Sequence, residues 1–260
     1  SLRSLKRAQV YGPFISSIFL RLSASLYAGC FSDIFTAAMS PSLQNFAIDS
    51  PALHRGSLTS AWFMAMYFNC PHPRPSIFGA LSPPAIEPLS LGAKRGGFAH
   101  NAGEGSFSKC HEAGGGDTVW QISTGYFGCR KADGRFDPAA FQQKAQCDQI
   151  KMIEIKISQG AKPGHGGMLM APKVTPEIAE TRGIPEFQDC ISPSHHAEFS
   201  TPNELLDFAE RMRDLSGGKP VGIKLCIGHP WEFIAIVKGM VETGKRLDFI
   251  TVDGAEGGTG

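Results

Sequence analysis

The stretch that decides the fold is "LDFITVDGAEGGTG", residues 247–260. An apolar run ends at Asp253, and four of the next seven residues are glycine. This reads as a buried strand feeding a loop built to hold something. Glycine lets backbone N–H groups approach an anion or a planar ring closely. The pattern recurs in "GGFAHNAGEG" (96–105) and in "KISQGAKPGHGG" (156–167), which again leaves a strand. Further strand candidates are "SIFGAL" (76–81), "IKMIEIKI" (150–157), "DCIS" (189–192) and "PVGIKLCI" (220–227).

Helices with readable ends lie between these runs. Thr201-Pro202-Asn203-Glu204 has the form of a capping box with proline at the first helical position. Leu205, Phe208, Ala209, Met212 and Leu215 then mark one apolar face, and Gly217 stands near the C-cap. A second helix starts at Pro230, is expected to bury Phe233, Ile234, Val237 and Val241, and stops at Gly244. Val174-Thr175-Pro176 opens a third. Buried strands alternating with helices imply βα units and a parallel sheet.

An open doubly wound sheet gathers its ligand loops at one switch point. A (β/α)8 barrel spreads them around its C-terminal rim. Here glycine loops follow several different strands, so the expected fold is α/β, a TIM-type barrel. About six strands are visible where a barrel needs eight, so the expectation is an incomplete barrel, cut before it closes.

Residues 1–70 carry 7 charged residues and 3 glycines, out of 49 and 30 in the whole chain. They show no sustained period of 2 or 3.6. "CPHPRPS" (70–76) reads as a boundary. The organisation expected is a poorly specified segment over 1–75 and a partial barrel domain over 76–260. Three readings of the first segment stand open: an irregular domain, a membrane-proximal leader, or sequence foreign to the protein. Its lack of local consistency favours the last.

A net charge of +1 argues against a nucleic-acid or membrane-surface partner. The seven cysteines are scattered without CxxC spacing and read as free thiols of a reducing, cytoplasmic compartment. No run over 76–260 is apolar enough to span a membrane. The pair His195-His196 with Cys190 lacks zinc-ligand spacing, and no metal site is expected.

Lys156 and Gln159 fall at a strand's C-terminal end, where barrel active sites lie. Glu104, flanked by glycines, could orient an amine or act as acid or base. Lys224 sits inside an apolar strand, and an inward lysine needs an acidic partner or a bound anion. Each has a plainer alternative: a solvated lysine, a surface turn, an edge strand.

Taken together, "FGALSPPAI", "GGFAHNAGEG", "STGYFG", "QGAKPGHGG…KVTPEIAETRG", "ISPSHH…FSTPNELLDF", "VGIKL" and "DGAEGGTG" resemble the FMN-binding domain of glutamate synthases. The stand-alone bacterial glutamate synthase-like proteins are the nearest in pattern. The resemblance covers 76–260 in collinear order and implies a (β/α)8 barrel. It implies an FMN-dependent oxidoreductase acting on CH–NH2 donors, reducing 2-iminoglutarate, made from 2-oxoglutarate and ammonia, to L-glutamate.

Carried over by motif, Ala80, Leu81, Ser82, Asn101, Gln159, Lys224, Gly257 and Gly258 are expected to contact the flavin. Glu104, Lys162 and Arg182 are expected to hold the dicarboxylate, with Glu104 and Lys162 in the catalytic roles. An arginine fork and an ammonium suit a dicarboxylate. Tyr126 stands where the family pattern often has arginine and His165 where it often has glutamate, which should shift the pocket's charge. The family's iron–sulfur cysteines would follow Gly260, so that cluster is not expected in this chain. Electrons would come from a donor protein or an NADPH-linked subunit. Competing expectations are another FMN barrel oxidoreductase, or an inactive fragment or non-redox binding module. The polypeptide by itself is expected to bind FMN weakly and to have little activity.

Overall fold

A computed structural model describes residues 76–157 and 165–252. The first segment, 1–75, therefore lies outside the described residues. In chain order the elements are α1 (Pro83–Gly96), β1 (His100–Asn101), α2 (Lys109–Gly114), β2 (Thr118–Ile122) and α3 (Pro138–Ala145). Next come β3 (Ile150–Lys156), β4 (Met168–Leu169), α4 (Pro176–Arg182) and β5 (Cys190–Ile191). The series closes with α5 (Pro202–Leu215), β6 (Val221–Leu225), α6 (Pro230–Thr243) and β7 (Ile250–Val252).

Five strands form one sheet in the order β1-β2-β3-β6-β7, every neighbouring pair parallel. Spatial order follows chain order without reversal. A doubly wound sheet reverses at its switch point, whereas a barrel adds each strand on the same side. The sheet curls into a half-barrel, an incomplete TIM-type fold.

Individual strands differ from expectation. "SIFGAL" is a turn: the Ala80 and Leu81 amides both donate to the Ile77 carbonyl, at 3.0 and 2.8 Å, and Gly79 has φ +103°. "DCIS" yields β5, but β5 pairs antiparallel with β4 in a separate two-stranded ribbon. The strands missed are β4, the two-residue partner of β5, and β2, whose five residues are all buried.

The sheet's outer face carries the main core. Trp120, Ile122, Ile153, Ile155, Val221, Ile223 and Leu225 pack under helices through Phe141, Leu205, Phe208, Met212 and Ile236. A register shift between Thr118 and Val119, which pair with Ile150 and Met152, brings Ile150 into this core and leaves Lys151 exposed. α5 begins as its sequence predicts: Thr201 Oγ1 accepts from the Glu204 amide, and Glu204 Oε2 accepts from the Thr201 amide. α4 likewise starts at its Thr175 cap. α6 has the predicted ends, but its buried face is turned. Ile236 and Gly239 are buried, while Ile234 and Val241 are exposed. Gly239 explains the rotation, since a Cβ there would come within 3.2 Å of Leu206 on α5.

Candidate functional site

The sheet's inner face is built in layers, as barrel interiors are. At its base Val119, Met152 and Phe249 form a small apolar cluster. Gly222 leaves room for it, because a Cβ there would lie 2.5 Å from the Phe249 ring. Above this lies a polar layer centred on Glu154, which is fully buried. Glu154 Oε1 accepts from Asn101 Nδ2 at 2.7 Å and from Gln121 Nε2 at 2.6 Å. Its Oε2 accepts from the Thr251 hydroxyl at 2.7 Å. Four strands thus contribute to one satisfied cluster.

The next layer, at the strands' C-terminal ends, is cationic. Lys156 and Lys224 face each other in register on β3 and β6, and both are buried. The Lys156 ammonium pairs with Glu104 Oε2 at 3.3 Å, both side chains being largely withdrawn from solvent. Glu104 arrives on the loop after β1. That loop is set by the Gly103 amide, which donates to Asn101 Oδ1 at 2.8 Å, and by Gly103 itself at φ +67°. Gly105 then packs so closely that a Cβ would meet the Phe78 carbonyl at 2.5 Å.

Arg182 closes this side. It ends α4, is buried, and donates from Nη2 to the same Phe78 carbonyl at 2.7 Å. Its guanidinium lies 4.9 Å over the Phe127 ring, and its Nε has no hydrogen-bond partner among the described residues. Burial pushes its pKa down, with Cys190 and the Glu104 carboxylate pulling the other way. A cleft beside Lys156 is lined by Ser123, Thr124, His165 and Ser194, and the buried Ser123 hydroxyl also lacks a partner among the described residues.

Of the residues singled out in the sequence, Glu104, Lys224 and Arg182 gather at this mouth, with Asn101 in the polar layer beneath it. Ala80, Leu81 and Ser82 form an exposed turn next to Phe78, which Arg182 holds. Gln159, Lys162, Gly257 and Gly258 lie outside the described residues. Tyr126 does not face the mouth. It is fully buried in the outer core, and its hydroxyl accepts from the Ala197 and Glu198 amides. Its place in the pocket's charge is therefore nil, while His165 does line the cleft. Sequence reasoning missed Glu154, Gln121 and Thr251. The signal for Glu154 was present in "IEIKI", where charges alternate with isoleucines.

Among the described residues, the donor set fits a flavin and a small dicarboxylate. Two lysines, an arginine and an unpartnered hydroxyl turn toward one mouth, with a single acid among them. A family model described as the conserved region in glutamate synthase matches residues 76–260. A glutamate synthase large subunit-like protein of Bacillus subtilis, YerD, is 46% identical over 184 residues, 70% of this chain and 35% of the relative. An archaeal glutamate synthase [NADPH] of Archaeoglobus fulgidus is 35% identical over 70% of this chain and 33% of its own length. A glutamate synthase large subunit-like protein of Rhizobium meliloti is 30% identical over 70% of this chain and 37% of its own. The chain thus spans about a third of the length of these relatives.

Proposed function

Since this chain belongs to the glutamate synthase family, we propose that its mouth is the reducing site of an FMN-dependent oxidoreductase, turning 2-iminoglutarate into L-glutamate. The observation that supports this best is the convergence of Glu104, Lys156, Lys224 and Arg182 on one rim of the half-barrel. A dicarboxylate needs two cationic anchors, and Arg182 with a rim lysine supplies them. FMN, when bound, supplies the hydride. Lys224 and the turn Ala80–Ser82 are the described residues that would hold it, with Gln159, Gly257 and Gly258 from the rest of the chain. Glu104 would orient the imine nitrogen and pass it a proton, held at the right height by its ammonium partner. Lys162, from the rest of the chain, would add a further substrate contact. Electrons would come from a donor protein or an NADPH-linked subunit, in line with the Archaeoglobus relative, whose name specifies NADPH for that protein.

The test is spectroscopic. The chain is incubated with FMN in excess, because this stretch alone is expected to hold it weakly. The flavin band is then followed during titration with 2-oxoglutarate, glycolate and orotate. A saturable change with 2-oxoglutarate alone, lost in Arg182→Ala, supports the assignment. A response to glycolate or orotate instead, or to none of the three, sinks it.

A further inference from the structure

The geometry points to Glu154 as a positioning residue that sets Glu104 from beneath, through Asn101. Glu154 is fully buried and contacts nothing at the rim directly among its hydrogen bonds. Its Oε1 accepts from Asn101 Nδ2, which fixes the direction of that amide. With Nδ2 held inward, Oδ1 must point along the chain, where it accepts the Gly103 amide. That bond shapes the turn at Gly103, and the next residue is Glu104, paired with Lys156. Lys156 lies two residues beyond Glu154 on the same face of β3. One carboxylate therefore supports both members of the rim pair: one by strand geometry, the other by a two-step hydrogen-bonded relay. An asparagine without that anchor could turn its amide over, and the Gly103 amide would then face an NH2 group instead of an acceptor. That Glu104 faces a ligand rests on the function proposed above; the relay itself does not.

Amide hydrogen exchange at Gly103 reads the relay without any ligand, with the amides of α5 as an internal reference. Asn101→Asp keeps an acceptor for Gly103 but puts an oxygen against Glu154. It should speed exchange at Gly103 about tenfold while α5 changes less than twofold. Adding Glu154→Gln should restore slow exchange, because the new amide at position 154 can donate to the carboxylate introduced at position 101. Gln121, whose Nε2 donates to the same Glu154 oxygen, then turns its own side-chain amide over to accept from that new amide. Glu154→Gln alone should stay within about threefold of the parent, because its oxygen can keep accepting from Asn101 and Gln121 while its amide faces the Thr251 hydroxyl, which can reverse to accept. If Asn101→Asp leaves Gly103 unchanged, speeds α5 equally, or is not rescued by Glu154→Gln, the relay is wrong. In parallel, 2-oxoglutarate affinity measured calorimetrically should follow the same order across the variants. A parent chain that binds no 2-oxoglutarate while the exchange pattern holds overturns the proposed function and leaves the relay standing.

Discussion

The two faces of β3 are written in the same seven residues and do opposite work. Ile153 and Ile155 turn outward into a core closed by α3, α5 and α6. Met152, Glu154 and Lys156 turn inward, where burial is spent on a carboxylate with three donors and an ammonium with an acid. The outer face is apolar and makes the fold stable. The inner face buries charge, which costs free energy unless every group is paired. A charged inner layer therefore adds little to stability, since packing alone would have favoured leucine there.

A third kind of burial sharpens the contrast. His100, His111 and His196 are buried and neutral, each pushed down to about 4 by burial. The hydrogen bonds of His111 and His196 demand neutrality. His111 Nδ1 accepts from the Ser108 amide, so Nε2 carries the proton and donates to the Ser76 carbonyl. His196 Nε2 donates to the Lys156 carbonyl at 2.8 Å, and its Nδ1 faces the Tyr126 hydroxyl at 3.1 Å. The unfolded chain titrates near 6.5, above the folded value, so it binds more protons between those limits. Stability is then fully present above about pH 6.5 and lost as pH falls toward 4, by about 2 kcal/mol per histidine at pH 5. This is the largest effect expected. Thermal unfolding should move down by many degrees between pH 7.5 and 5, and a flat profile would show that the imidazoles are not held neutral.

The outer face is broken most directly at Phe141. It is fully buried, lies 5.2 Å from Trp120 and 5.5 Å from Phe136, ring to ring, and bridges α3 to β2. Phe141→Ala should cost about 3–5 kcal/mol in urea unfolding. A loss below about 1 kcal/mol would mean that the core closes over the gap, and that the stacked rings are not what holds α3 down.

How much of this was legible depended on the range of the interactions. α5 could be read because its capping box is local, Thr201 and Glu204 being three residues apart. The barrel could be read because glycine loops recur after successive strands. β2 escaped because "TVWQI" is short and carries Thr118 and Gln121, polar residues whose partners lie on other strands; β6, equally buried, stood out through its longer apolar run. The α6 face was misjudged because its apolar residues run almost all round, and only Gly239 against α5 says which side is inward. Glu104 and Lys224 were singled out by their own settings, a glycine-flanked acid and an inward lysine, and Asn101 and Arg182 by motif; the four lie at or beneath the mouth. Glu154 was not, because its meaning lies in donors 53, 33 and 97 residues away. Tyr126 was placed in the pocket because its motif neighbours are there, but at φ +48° its ring turns to the other side of the sheet.

That displacement gives a smaller test of the same contrast. Tyr126→Phe keeps the ring in the outer core and removes the oxygen that accepts from the Ala197 and Glu198 amides. Two part-buried N–H groups lose an acceptor and the buried His196 Nδ1 loses its donor, which together should cost about 1–3 kcal/mol in urea unfolding. Any response of the flavin band to 2-oxoglutarate should be untouched. If the response weakens with little loss of stability, Tyr126 reaches the mouth after all and the division between the faces is less clean.

The smallest effect is expected on the surface, where neither face is involved. Lys109 and Glu180 pair at 2.8 Å between α2 and α4, yet their side chains are 70% and 65% exposed. Each raises or lowers the other's pKa in the expected direction: the carboxylate holds the ammonium up, and the ammonium holds the carboxylate down. In water that mutual preference is largely offset by solvation and by the entropy of holding two long side chains together. Glu180→Gln should therefore leave the unfolding midpoint within measurement scatter at moderate salt. A loss as large as that of Tyr126→Phe would mean that the packing of α2 on α4 depends on a solvated charge pair. The apolar cluster of Phe78, Cys110, Val174 and Ile178 beneath those helices would then be too weak to hold them.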